Sequence, residues 1–267
     1  MNHFQNNGGH NQGGDWSQGG QSPHYAQGGG QPHQPSHRGG ARVVAQADEN
    51  TRSAFIRRTY AHLVGAVFLC VALMALFVNS PFAEPVIGMM FAHQYSWLIV
   101  LAIFMGFSWM GDAMAHRVDS KGLQYIGLTV GVGAYAIILT PLVLMAAVMS
   151  GPGLLINALL LTFVVFGALT AVVFVTGFDF SILRIGLIIG SVLALGAIVG
   201  GVLFGFTLGL GFAVAMVGLS SAMIVYQTSN VLHQYHPSQH VGAALGLFSS
   251  LGMLFWYILS IFMSLDG

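Results

Sequence analysis

The sequence predicts an all-α integral membrane protein with seven transmembrane helices, and three observations carry that prediction. Long apolar runs recur at close to the roughly 20 residues that a helix needs to cross about 30 Å of hydrocarbon. Two long stretches hold no full charge, and helix breakers fall between the runs. Apolar residues make up 55% of the 267 and charged residues only 6%, whereas a soluble domain is roughly a quarter charged. No Asp, Glu, Lys or Arg occurs from Gly122 to Phe178 or from Ile185 to Leu265, so most of the chain enters lipid without burying a charge. Helices are expected because lipid leaves exposed backbone groups unsatisfied, and the runs lack the alternation of a barrel strand.

The chain divides near residue 50. The first forty residues are Gly, Gln, Asn, His, Ser and Pro with scattered aromatics, too poor in aliphatics to offset the entropy of ordering. Residues 1–50 are therefore expected to form a disordered cytoplasmic tail, and residues 54–265 the membrane domain. The tail lacks the apolar core and cleavage site of a secretory signal. His10, His24, His33 and His37 are read as low-complexity composition rather than as metal ligands.

Seven spans follow: Tyr60–Val78, Ser96–Met114, Leu123–Val148, Leu154–Val175, Ile182–Phe204, Leu208–Leu232 and Val241–Met263. Pro81 and Pro85 separate the first two, and Ser120 to Gly122 the second and third. Gly151 to Gly153, Gly177, Gly205 and Pro237 separate the rest. Pro141 falls inside the third span and is expected to kink it.

Positive charge orients the bundle. Arg38, Arg42, Arg52, Arg57 and Arg58 precede span one, Arg117 and Lys121 lie between spans two and three, and Arg184 lies between four and five. With the amino terminus inside, all eight are cytoplasmic, as the positive-inside rule asks, and the carboxy terminus is external. Small residues recur every fourth position in several spans, including Gly127 and Gly131. Only the last span's line of Gly242, Gly246 and Ser250 is taken as a packing surface, since glycines this frequent pair by chance. It predicts that span seven is surrounded by other helices.

Against this apolar background a few polar residues stand out. Gln227, Thr228, Ser229 and Asn230 close span six. His233, His236 and His240 are spaced as imidazoles around a metal, but Pro237 interrupts any helix and no acid or Cys joins them, so an exposed loop is expected. His62, one turn into span one, is a candidate pH-sensitive group. Asp112, His116, Arg117 and Asp119 read as a solvated loop, and Asp179 and Ser181 as amino-terminal caps of span five, beside a snorkelling Arg184. Trp97, Trp109 and Trp256 read as interface or packing aromatics. The lone Cys70 excludes an internal disulfide.

Four segments together carry a resemblance: AFIRRTYAHLVGAVF entering span one, TGFDFS after span four, IVYQTSNVLH closing span six and AALGLFSSLGMLFWYIL in span seven. In order and spacing they resemble the Bax inhibitor-1 family of transmembrane proteins in its bacterial form, over Ala54–Met263. The resemblance implies six helices wrapped around a central C-terminal seventh, in a bacterial inner membrane. It implies a stress or cell-death modulator, with some members acting as pH-sensitive calcium leaks. It also brings one bacterial relative that associates with the membrane-anchored AAA protease.

In that family the leak is attributed to two aspartates sharing a proton. Their positions fall here on Gln227, which follows Tyr226, and on Ser250. Both acids are absent. Two close carboxylates in a low dielectric cannot both ionise cheaply, which makes a sensor, whereas Gln and Ser do not titrate near neutrality. Two readings of the polar run stay open: a contact between spans six and seven with Gln227 and Ser250 as the expected pair, or a helix end facing headgroups. Tyr226, Thr228 and Ser249 are the other candidates for inter-helix contacts or a pore lining.

No serine has a neighbouring base, no His and acid stand at metal-ligand spacing within a span, and no phosphate-cradling loop occurs. No enzyme, cofactor or resident metal is therefore expected, and balanced charge gives no basis for nucleic-acid binding. The expected partners are the bilayer, a membrane-anchored AAA protease and, weakly, calcium, which prefers carboxylate oxygens. The absent acids favour an interaction protein in stress response or membrane quality control. The alternative is a cation leak with an altered gate.

Overall fold

A computed structural model describes residues 43–93 and 95–266. The tail up to residue 42, with its histidines, Arg38 and Arg42, lies outside the described residues. After a 3-10 turn at Val44–Gln46 come eight helices: α1 (Glu49–Val78), α2 (Ala83–Phe91), α3 (Ser96–Ala115), α4 (Lys121–Met149), α5 (Pro152–Thr176), α6 (Leu183–Phe204), α7 (Leu210–His233) and α8 (His240–Asp266). All but α2 are long and apolar enough to cross a membrane. The chain is a multi-pass, all-α membrane protein.

The seven spans correspond to seven helices, with two differences. The first helix starts at Glu49, three turns before Tyr60, because Asp48 caps it by accepting the Thr51 N–H at 3.0 Å. Those hydrogen bonds to Thr51 hold the Asp48 carboxyl below its ordinary range. Residues 43–48, grouped above with the tail, pack under the bundle, and Val44 is fully buried. The second difference is α2, where Pro85 was expected to break structure. Pro85 instead sits in the first turn of α2, where a backbone N–H has no helical acceptor to lose. In contrast, α4 runs through Pro141 without interruption.

Helix α8 is the core. Most of its residues from Val241 to Leu259 are buried, and α1, α3, α4, α5 and α7 all pack on it. The sixth neighbour departs from the expected ring, because α6 packs chiefly on α7. The outward faces are apolar, with side chains such as Phe68, Val175 and Phe204 uncovered, as helices bathed in hydrocarbon require.

Glycine sets the closest approaches. A Cβ on Gly242 would lie 2.9 Å from the Ala115 carbonyl oxygen, and one on Gly246 would lie 3.1 Å from the Gln227 amide nitrogen. The line on α8 is therefore a packing surface. So is a pair discounted above: a Cβ on Gly127 would meet the Ala115 nitrogen at 2.5 Å and the Gly111 oxygen at 2.6 Å, and one on Gly111 would meet the Gly131 nitrogen at 2.8 Å. Helices α3 and α4 thus touch backbone to backbone, where dispersion rather than water exclusion holds helices together. Elsewhere Gly177 and Gly205 end α5 and α6 in left-handed conformations, φ 59° and 73°, that a side chain resists.

Every described Lys and Arg lies at one end of the bundle, where the start of α1, the end of α3 and the starts of α4, α6 and α8 meet. We call this the polar end.

Candidate functional site

The last turns of α7 carry the polar run, and its members differ in their surroundings. The Gln227 side chain lies across Gly246 of α8, and its Oε1 accepts a hydrogen bond from the Tyr235 hydroxyl at 3.1 Å. Ser250, buried one turn along α8, donates instead to the Gly246 carbonyl of its own helix at 3.1 Å. Gln227 and Ser250 therefore flank one glycine without bonding to each other. The phenol and the backbone carbonyl win, since a serine hydroxyl within a helix has the carbonyl four residues back within its reach.

Thr228 is 0% exposed, and its hydroxyl has no hydrogen-bond partner. It faces the Tyr60 hydroxyl of α1, which also looks toward Thr170 of α5. Ser229 leaves the α7–α8 contact and holds the connection between α5 and α6: its Oγ accepts the Phe180 N–H at 2.8 Å. The run is largely buried, and its side-chain hydrogen bonds go to the lead-in of α6 and to the following loop rather than to α8. Tyr226 is half-buried and makes no hydrogen bond among the described residues. Ser249 takes part through its backbone, whose carbonyl accepts from the Tyr135 hydroxyl at 3.1 Å.

The connection between α7 and α8 is the element that sequence reasoning missed. Read as an exposed loop, it folds back as a lid. The Tyr235 ring stacks on His116 at the end of α3, with centroids 5.7 Å apart, and its carbonyl accepts the Val44 N–H at 2.8 Å. Burial, and then the Asp112 carboxylate, push its phenol above the ordinary range, so the hydroxyl remains a donor to Gln227. Gln239 donates to the His116 carbonyl at 2.9 Å, and Gln124 donates to the carbonyls of Arg117 and of Ser238. His116 is accordingly part of the lid rather than a solvated loop, held by the Asp112 carbonyl at 2.8 Å. The signal available was Tyr235 itself, an aromatic amid polar residues directly below the polar run.

The three loop histidines do not converge. His233 bonds the Ser229 carbonyl and His236 the Ser238 hydroxyl, while His240 turns edge-on to His62 at 4.9 Å. The His62 Nδ1 meets the Arg58 carbonyl at 2.7 Å, which can only accept, so Nδ1 carries the proton and Nε2 faces the Tyr125 hydroxyl at 3.0 Å. Asp179 caps the turn before α6 by accepting the Ser181 N–H, while Ile182 occupies the N-cap position without a side-chain bond. The expected capping by Asp179 and Ser181 is thus displaced, because a turn at Phe180–Ile182 intervenes. Trp97 and Trp256 pair at 6.0 Å, and Trp109 is 78% exposed to the surrounding phase.

The inner contact of the site, Tyr235 on Gln227 over Gly246, is uncharged, while the Asp112 carboxylate stands 3.3 Å from His116 Nδ1 at its edge. Among the described residues no three His, Cys, Asp or Glu side chains gather as metal ligands. The model of a protein family described as "Inhibitor of apoptosis-promoting Bax1" matches residues 52–267. No curated protein matches the chain.

Proposed function

Because the chain belongs to the Bax inhibitor-1 family, we propose that it is a regulatory membrane protein of stress response or membrane quality control, acting through protein contacts at its polar end. The observation that carries this reading is the inner contact of the lid: Tyr235 bonds Gln227 over Gly246, and these groups do not titrate near neutrality. A partner then reads the surface of that lid and the positive charges around it. The partner we propose is a membrane-anchored AAA protease of a bacterial inner membrane, with the polar end cytoplasmic, in line with the clustering of Lys and Arg.

The test is affinity capture from detergent-solubilised membranes with the full chain and with residues 1–40 removed. Recovery of the protease by both forms places contact on the bundle, and by the full chain alone places it on the first forty residues. Recovery by neither counts against the reading.

One observation favours a second reading, a pH-influenced calcium leak with an altered gate. Gln227 lies across Gly246 and Ser250 bonds the Gly246 carbonyl, so carboxylates at both positions would meet beside one glycine of α8. Calcium flux into proteoliposomes across pH, for the native chain and for Gln227→Asp with Ser250→Asp, addresses it. Flux in the native chain supports a leak, acid-dependent flux in the variant alone supports a conducting scaffold with a lost sensor, and flux in neither discards the reading.

A further inference from the structure

The central helix is not covered on all sides. From Ser249 the half-buried residues of α8 recur as Met253, Trp256, Tyr257 and Ser260, at helical spacing, while their neighbours Leu254, Phe255, Ile258 and Leu259 are buried. This uncovered stripe faces a cavity of about 670 Å³, within the range of about 300–1,000 Å³ that ligand pockets span. One wall is α3, with Leu101 and Met105, and the opposite wall is α6, with Ala194, Leu195 and Ile198. Helix α3 packs mainly on α4 and α6 chiefly on α7, and the two do not form a packed pair. Between them the cavity runs from Trp97 and Ser264, at the end away from the polar end, to Ser191 and Met223 near the middle of the bundle.

Tyr135 forms part of the cavity's inner wall, beside Ser191 of α6 and Met223 of α7. The Tyr135 hydroxyl is bound to the Ser249 carbonyl, the ring stands edge-on to Phe104 at 5.0 Å and to Phe248 at 5.5 Å, and it presses on Gly252.

From these observations we propose that the crevice between α3 and α6 binds one acyl chain of a membrane lipid, entering between those two helices and passing along the Tyr135 ring. The walls are apolar, and the hydroxyls on the stripe are too few to supply the two to four polar partners that each ordered water needs. Left empty, the lining would lose its dispersion contacts on one side. The phase that meets an opening between two membrane-spanning helices is hydrocarbon, and a single flexible chain matches a slot bounded by two helices and a central third.

The protein is reconstituted in phosphatidylethanolamine and phosphatidylglycerol vesicles containing a trace of phosphatidylcholine with a diazirine midway along one chain. Irradiation and peptide mass spectrometry then locate the adducts. Bulk lipid reaches the outward-facing Val192 and Leu193, which are 65% and 68% exposed. The proposal expects adducts also on Met253 and Trp256 of α8, and their loss in Ala194→Trp while those on Val192 and Leu193 remain. Labelling confined to the outward residues of the native chain overturns it.

A second measurement needs no variant and decides the matter if Ala194→Trp does not fold. Hydroxyl-radical footprinting in the same vesicles is expected to oxidise Met149, exposed at the end of α4, and to spare Met253. Oxidation of Met253 comparable to that of Met149 means that water fills the crevice, and the proposal fails.

Discussion

Single residues show where a change of one methyl group matters. The Gly127 contact with the backbone of Ala115 and Gly111 is shorter than any Cβ tolerates, so Gly127→Ala is expected to destabilise by about 1–3 kcal/mol through overpacking. Gly65→Ala, with nothing within 4 Å of its Cβ, serves as the neutral control. Thermal unfolding in detergent compares the two, and equal midpoints would contradict the close approach. Tyr235→Phe removes the donor to Gln227 and is expected to cost about 0.5–1.5 kcal/mol, read as faster amide exchange at the lid. The sequence told which residue types were unusual at these positions but not which partners they take. Gln227 faces a phenol eight residues onward only because the loop folds back, and nothing in HQYHPSQH declares that fold.

Elements were more legible than contacts. Runs of apolar residues fix where helices cross lipid, since the bilayer imposes one length on all of them, and seven spans became seven helices. What escaped notice were elements whose signal is local and polar: the extension of α1 down to its Asp48 cap, and α2 with Pro85 in its first turn. The cap carries a pH dependence. Hydrogen bonds from Thr51 lower the Asp48 carboxyl in the folded chain; the cap is therefore at full strength above the ordinary carboxylate range and is lost as pH falls through the lowered value. Amide exchange in the first turn of α1, near Thr51, is expected to accelerate under acid, and Asp48→Asn to flatten that response. An acid-independent exchange rate would show that the carboxylate is not the cap.

At the scale of the whole molecule the arrangement of charge makes the sharpest prediction. A reporter fused after Gly267 is expected to face away from the cytosol and one inserted in the loop between α3 and α4 to face it; the reverse would overturn the proposed orientation. The central position of α8 was legible in its line of small residues, yet the stance of α6 was not, because its glycines look like those of any packed helix and only contacts reveal which of them meet a neighbour. The backbone seam between α3 and α4 has a mechanical consequence. Two helices locked along Gly111, Gly127 and Gly131 move as one slab, whereas α6 hangs from α7 and from the Ser229 tether at its lead-in. Any breathing of the crevice is then a door swinging on a single hinge: α6 moves, and the α3 jamb stays fixed.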